Sequence, residues 1–405
     1  MAMSEIFKPD TAEQVLEAVT QALAAEQTLD VFGHATKRDF GCPASGNNGL
    51  DLTALSGINL YEPGELVMSA ACATPMRDIE QALGDQNQRL AFEPPNLGPL
   101  LGSGQSAGTI GGVFACNLAG SRRISAGSAR DHILGFHAVS GRAEVFKSGG
   151  RVVKNVTGFD LSKLLAGSFG TLAVMTDVTF KVLPVPEKSR TVLVIPQDST
   201  AALAAMTAAL HSSFEISGAA YLPADIAAGS AVSYVSGAGG GLCALRIEGP
   251  GPSVEYRTGA LRQLLAQYGQ CEELHSSNTQ ALWREIRDVD YFVSGTQQVW
   301  RLSVPPADGA RVARTIADEL GGRVFFDWGG GLIWLAIEAS MDAGHQQIRD
   351  ALKETGGHAT LIRATTEVRA RVPVFQPQAQ ALAELALRVK NSFDPKGILC
   401  PGRMG

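Results

Sequence analysis

Two glycine-rich stretches, SAGTIGGVFACNLAG at 106–120 and KNVTGFDLSKLLAGSFGTLAVMT at 154–176, flank the arginine-bearing GSARDHILG at 127–135. Glycine has no Cβ, so it lets backbone N–H groups approach a ligand closely and adopts positive φ without strain. Such clustering predicts a backbone-lined site for a large, flat, phosphorylated cofactor. In the first stretch Thr109 precedes Ile110, Gly111 and Gly112, and the small residues Ala115, Cys116 and Asn117 follow. Thr109 can cap a helix whose N-terminus suits a pyrophosphate, and small residues admit a flat ring system. Taken alone, the segment also fits tight helix packing with no ligand, and Gly167 to Thr171 before Leu172-Ala173-Val174 also fits a plain hairpin. The combination and order of the pieces favour the ligand.

The bulk numbers agree with a soluble globular protein of more than one domain. A chain of 405 residues exceeds one ordinary core, so two domains of ~150 to 200 residues are expected. Its 45 glycines exceed the roughly 7% usual share and follow no collagen-like period. The net charge of −6 and the absence of Lys/Arg runs argue against a nucleic-acid partner. The N-terminus MAMSEIFKPD has no apolar signal region, and no apolar run is long enough to span a bilayer. Cys42, Cys72, Cys116, Cys243, Cys271 and Cys400 have neither C-x-x-C nor ferredoxin spacing. This chain is therefore expected to carry no iron–sulfur cluster, and its thiols to be reduced in a cytoplasmic setting.

Along the chain, Thr11-x-x-Gln14 predicts a capping box, followed by a helix with Val15, Leu16, Val19, Ala22 and Leu23 on one face. A short buried strand over 29–32 ends in the loop Gly33-His34-Ala35-Thr36-Lys37-Arg38. A strand over 66–72 leads to Thr74 and Pro75, expected as N-cap and first residue of a helix ending near Gly84. The strand MTDVTFKVL stops at Leu183-Pro184-Val185-Pro186, which places a domain boundary there. Beyond it the spacing predicts strand 191–195, helix 199–211, strands 216–221 and 242–248, and helix 253–268. A similar order follows from Trp300, with helix 306–320, strands 323–327 and 332–338, helix 342–354 and strand 358–363. Two βαββαβ-type units side by side are expected, forming an α+β lobe with an antiparallel sheet. A last helix, 378–391, leads into the irregular SFDPKGILCPGRM.

Several sites are argued against by spacing. Gly102-x-Gly104 is followed by Gly108, one residue late for a dinucleotide-binding fingerprint, and no acidic residue stands near Ile124. There is no phosphate-binding G-x-x-x-x-G-K-[ST] loop and no H-E-x-x-H zinc motif. His132 and His137, separated by apolar residues, are expected on a strand rather than on a metal. His34 fits either a covalent flavin link or a contact with phosphate or water.

In that order the motifs resemble the flavin-binding domain of the vanillyl-alcohol oxidase and p-cresol methylhydroxylase (PCMH) family. Residues 33–38 match the family's short pyrophosphate loop, GTIGGVFACN its T-I-G-G-x-x-A-x-N segment, and GSARDHILG its G-x-x-R-D-x-V-L-G. The 154–176 stretch and FDPKGILCPGRM resemble its later motifs, so the match covers about 1–185 and the C-terminal tail. NVTGFDLSKLLAGSFG, AGSRRISAGSARDHILG, FDWGGGLIWL and GGHATLIR narrow it to the FAD-binding subunits of bacterial glycolate oxidases. The fold expected is α+β: a PCMH-type FAD-binding domain of two α+β subdomains over 1–185, an α+β cap with ferredoxin-like units over 186–370, and a segment over 371–405 that returns to the first domain.

The resemblance implies FAD as cofactor, oxidation of glycolate to glyoxylate, and electrons passed to an acceptor other than NAD. It also implies a larger FAD-binding subunit and an iron–sulfur subunit as partners, in the cytoplasm or peripheral on the cytoplasmic face of the inner membrane through the complex. The residues it marks for the cofactor are Gly33, His34, Ala35, Thr36, Lys37, Pro95, Ser106, Gly108, Thr109, Gly111, Gly112, Asn117, Gly127, Arg130, Asp131, Gly170 and Val174. Three positions depart from its pattern: Cys400 stands for Asn, Phe159 for Tyr and Phe169 for Glu. The metal-binding H-x-G-D-G-N-x-H and E-H-G-x-G segments of the larger 2-hydroxy-acid dehydrogenases are missing, and no metal site or catalytic residue carries over. Oxidation is therefore expected mainly on the larger partner subunit. One alternative is a stand-alone 2-hydroxy-acid dehydrogenase with His358, Arg363 or Arg301 fixing a substrate carboxylate; another is a scaffold subunit that has lost its flavin.

Overall fold

The computed structural model describes residues 5–151 and 158–405; the KNVT part of the second glycine-rich stretch, 154–157, lies outside them. The chain divides into two compact units. The first comprises Met1–Ala119, Gly127–Val185 and Pro377–Gly405, the second Gly120–Ala126 and Pro186–Gln376.

Among the described residues, the first unit holds three sheets. Strands β1 (Ile6–Phe7), β2 (Leu29–Phe32) and β3 (Asn48–Asp51) form a parallel sheet in the order β1-β3-β2. The antiparallel sheet has the order β4-β5-β9-β7-β8, from β4 (Ile58–Glu62), β5 (Val67–Ala71), β7 (Ile133–Ser140), β8 (Val145–Gly149) and β9 (Ala173–Lys181). In the third, β6 (Gln88–Arg89) pairs antiparallel with β10 (Leu183–Pro184). The helix Ala12–Ala24 starts where its cap predicts, with Thr11 Oγ1 accepting from the Gln14 N–H at 3.2 Å. Its inner face of Val15, Ala18, Val19 and Ala22 packs with Leu29, Leu50, Leu52 and Val174, and with Ile398 and Leu399 from the tail. The tail is tied on as backbone: the Leu29 N–H donates to Ile398 O at 2.7 Å and the Cys400 N–H to Leu29 O at 2.8 Å. Lys390 adds a side-chain tie, donating to Thr171 O, Leu399 O and the fully buried Asp394 carboxylate.

Two local expectations are corrected. Thr74 is not a cap: the helix Met76–Gly84 has Pro75 at its N-cap, while the Thr74 hydroxyl donates to Ala71 O at 2.7 Å and fixes the preceding turn. His132 closes the short helix Ala129–His132, and only His137 lies on a strand.

The second unit is one eight-stranded antiparallel sheet in the order β14-β11-β13-β12-β16-β17-β15-β18. Its strands are β11 (Lys188–Ile195), β12 (Ile216–Leu222), β13 (Leu242–Gly249), β14 (Gln270–His275), β15 (Gln298–Ser303), β16 (Arg323–Asp327), β17 (Leu332–Ile337) and β18 (His358–Arg363). Each half has its fourth strand beside its first and its third between first and second, the ferredoxin-like order. The halves join through their second strands, where Tyr221 pairs with Phe326. β14 and the helix Ser276–Asp288 after it are absent from the sequence reading. The segment Gly120–Ala126 belongs to this unit: the Ser121 hydroxyl donates to Asp327 at 2.7 Å, and Arg122 pairs with Glu248 through Nε at 2.6 Å.

Candidate flavin site

The loop at 33–38 leaves β2 and forms one wall of a cleft lined by Gly33, His34, Ala35, Thr36 and Lys37 together with Thr109 and Gly112. Among the described residues, the backbone N–H groups of residues 33–37 have no acceptor, whereas that of Arg38 donates to Ala35 O at 3.1 Å and closes the turn. Ala35 sits at φ +56°, a left-handed conformation that turns successive N–H groups toward one side. Thr36 and Lys37 are buried, and a buried N–H without an acceptor costs about 1 to 3 kcal/mol. The loop is built to receive an acceptor.

Lys37 makes the same demand in charge. Its ammonium donates to Ala107 O at 2.9 Å and Thr36 Oγ1 at 3.3 Å, both neutral oxygens, and has no carboxylate partner among the described residues. Burial holds its pKa below the ordinary lysine value. Gly108 makes room for it, since a Cβ there would lie 2.3 Å from Thr36 Oγ1 and 2.7 Å from Lys37 Nζ. Gly112 is open on the cleft side: a Cβ there would meet only Thr109 Oγ1 at 3.5 Å and the Lys37 side chain at 3.9 Å. Thr109 caps the helix Ile110–Ala115 by accepting from the Gly112 N–H.

The remaining sequence-marked residues shape the surroundings. Gly111 packs on Cys72, with its N–H on Cys72 O at 2.8 Å. Asn117 Oδ1 accepts from the Arg130 N–H at 2.9 Å. Burial raises the pKa of Asp131, but hydrogen bonds from Ser128 N–H and Oγ–H outweigh it, so the carboxyl stays below its usual range. Gly127 gives Asp131 its space. Ser106 is exposed and accepts from the Gly108 N–H, Pro95 is buried away from the cleft wall, and Val174 belongs to the core. Gly170 faces Cys400 and Val31, which themselves line the cleft.

The cleft also contains Asp30, Phe32 and Arg403, which sequence reasoning did not mark for the site, beside Arg38 of the 33–38 loop and the small residues Ala115 and Cys116, which it did. Asp30 pairs with Arg38, and burial raises its carboxyl pKa despite Arg38 and Arg403 nearby. The Arg403 guanidinium donates to the carbonyls of Lys37, Arg38 and Cys42, so the C-terminal tail locks the loop from behind. Cys400, in the place of the family's Asn, accepts from the Val31 N–H at 3.4 Å, and burial pushes its thiol up to about 11. Phe169 holds φ +54° and packs edge-on to Phe40.

Unpaired N–H groups, a buried lysine without a counterion and an open glycine wall fit the diphosphate of a flavin dinucleotide, which these residues would hold. The fold and this cleft suit an FAD-binding protein, and the sequence relatives make it an oxidoreductase. Residues 4–149 match the FAD binding domain family. The chain is 33% identical over 396 residues to glycolate oxidase subunit GlcE of Escherichia coli (strain K12), covering 98% of this chain and 97% of that protein. It is 31% identical to a D-lactate dehydrogenase of Anaerostipes hadrus over 150 residues, 37% of this chain and 30% of that one. Among solved structures, p-cresol methylhydroxylase with substrate bound superposes with a TM-score of 0.74 at 16% identity, covering all of this chain and 89% of that one. The chain belongs to the family of the glycolate oxidase subunit GlcE, and its cofactor is FAD.

Proposed function

We propose that this chain is the FAD-holding subunit of a heteromeric glycolate oxidase that converts glycolate to glyoxylate and passes the electrons to an acceptor other than NAD. The observation that carries this is the near full-length match to a protein described as a glycolate oxidase subunit. Residues 33–37, Thr109 and Gly112 hold the diphosphate, and Gly108, Gly111, Asn117, Gly127, Arg130, Asp131 and Gly170 order the loops around it. Bound FAD supplies the redox chemistry, while the chain binds and orients it and excludes water. Substrate oxidation falls mainly to a larger FAD-binding subunit, with an iron–sulfur subunit completing the route. No described helix is long and apolar enough to cross a membrane, in keeping with a cytoplasmic complex or one held at the inner membrane by its partners.

Anaerobic addition of glycolate tests the division of labour. The flavin of the isolated chain is expected to stay oxidised and to bleach only when the larger subunit is added. Bleaching in the isolated chain would move the oxidation onto this subunit.

A further inference from the structure

The second unit contains a cationic cluster that the flavin site does not use. Arg301 on β15 is half-buried, and among the described residues its guanidinium has neither a hydrogen-bond acceptor nor a carboxylate partner. It lies 5.2 Å from the Trp328 ring, and Arg123, from the segment Gly120–Ala126, lies 4.5 Å from the same ring. His358 begins the adjacent strand β18. The pairings Arg301 with Thr360 and Ser303 with His358 put all four side chains on one face of the sheet.

Trp328 is a fixed platform. Its indole N–H donates to Gly120 O at 3.1 Å, its backbone N–H to Asp327 Oδ1 at 2.7 Å, and its φ is +52°, a costly conformation for a bulky residue. The platform gathers like charges. Burial, and then Arg123, pull the Arg301 pKa down to about 10; burial, Arg301 and Arg123 also hold His358 below its ordinary value. Adjacent cations without a counterion disfavour folding, and such arrangements cluster at functional sites.

Arg363, the other arginine named from sequence, and Arg349 differ. Arg363 spends its guanidinium on the carbonyls of Gln297 at 2.9 Å and Phe292 at 2.6 Å. Arg349 likewise donates to His345 O and Phe375 O. These two hold backbone in place, whereas no described carbonyl accepts from the guanidinium of Arg301 or Arg123, which lie against Trp328.

We infer that Arg301, Arg123 and His358, gathered on Trp328, form a binding site for a small 2-hydroxy or 2-oxo carboxylate within the second unit of this chain. The planar guanidinium forks match a carboxylate, and the imidazole of His358 hydrogen-bonds the oxygen on the neighbouring carbon. The choice of carboxylate over other anions rests on the proposed glycolate oxidase function.

Calorimetric titration of the full flavin-loaded chain with glycolate, glyoxylate, acetate and inorganic phosphate tests the site. Glycolate and glyoxylate are expected to bind, acetate more weakly and phosphate not at all. R301Q is expected to weaken glycolate by about tenfold or more, the cost of losing one charged hydrogen-bond donor. R301K should lie between R301Q and wild type. R123Q, at an exposed position, gives a second test that does not depend on an altered interior, with a loss of about threefold. Arg284→Gln, on the far helix Ser276–Asp288, should change nothing. No glycolate heat in the wild type, or equal affinity in wild type, R301Q and R123Q, overturns the site. Phosphate binding that is lost in R301Q overturns the carboxylate assignment. Bleaching of the isolated chain by glycolate overturns only the proposed division of labour, leaving the anion site standing.

Discussion

The two cationic regions of this molecule are built in opposite ways. In the first unit the donors are mainly backbone N–H groups at 33–37, with the buried Lys37 behind them. In the second unit they are side chains, Arg301 and Arg123 on Trp328, brought together from distant parts of the chain. A backbone site needs glycines to let the ligand approach, so it marks the sequence. A side-chain site needs only arginines at the right places in space. The first should tolerate side-chain truncation and fail when a glycine is filled; the second should behave the other way round.

The largest effect is expected where the glycine wall is filled. Gly112→Trp places an indole in the open side of the cleft, and the purified variant should carry no flavin while retaining its far-UV circular dichroism. Full flavin retention would break the contrast at its strongest point.

Next comes the comparison of two arginines within one unit. Arg363→Met strands the carbonyls of Gln297 and Phe292 and should lower stability by about 2 to 3 kcal/mol in denaturant unfolding. Arg301→Met removes an uncompensated half-buried charge and should leave the midpoint unchanged or raised. A loss as large as that of Arg363→Met would show that Arg301 is structural.

A moderate effect is expected from pH. Burial lowers the Lys37 pKa in the apo-protein, below the ordinary value of 10.5, and the bound diphosphate favours the charged ammonium. Flavin affinity should therefore be flat below the depressed pKa and fall as pH rises through it toward 10.5. Lys37→Met should bind flavin more weakly at neutral pH and lose this slope. Equal slopes in both proteins would remove Lys37 from the site.

The smallest effect is expected at His34, whose side chain is exposed. His34→Ala should retain flavin within about twofold, because the backbone N–H remains. A large loss in flavin content would mean that the imidazole itself is needed.

The same contrast explains what could be read from the sequence. The 33–38 loop, Thr109 and Gly112 were legible because local backbone chemistry fixes them, as were the Thr11 cap and the alternation of strands and helices after Pro186. Arg403 was not marked for the cleft, and Cys400 only as a departure from the family's pattern, because the tail reaches the cleft through pairing with β2, 369 residues away for the Val31–Cys400 contact. β14, QCEELH, escaped notice because an edge strand with Glu272 and Glu273 lacks an apolar run. The helix Ser276–Asp288 shows only Leu282, Trp283 and Ile286 as large buried apolar residues. Arg123 could not be placed at all, because nothing within AGSRRISAG indicates that Gly120–Ala126 joins the second unit.

The most direct test of the central claim, that the first unit holds FAD against backbone donors, is the visible spectrum of the chain purified alone, beside that of Gly112→Trp. The account predicts a flavin spectrum in the wild type and none in the variant. A colourless wild type that stays so after incubation with FAD, with its fold intact, would contradict it.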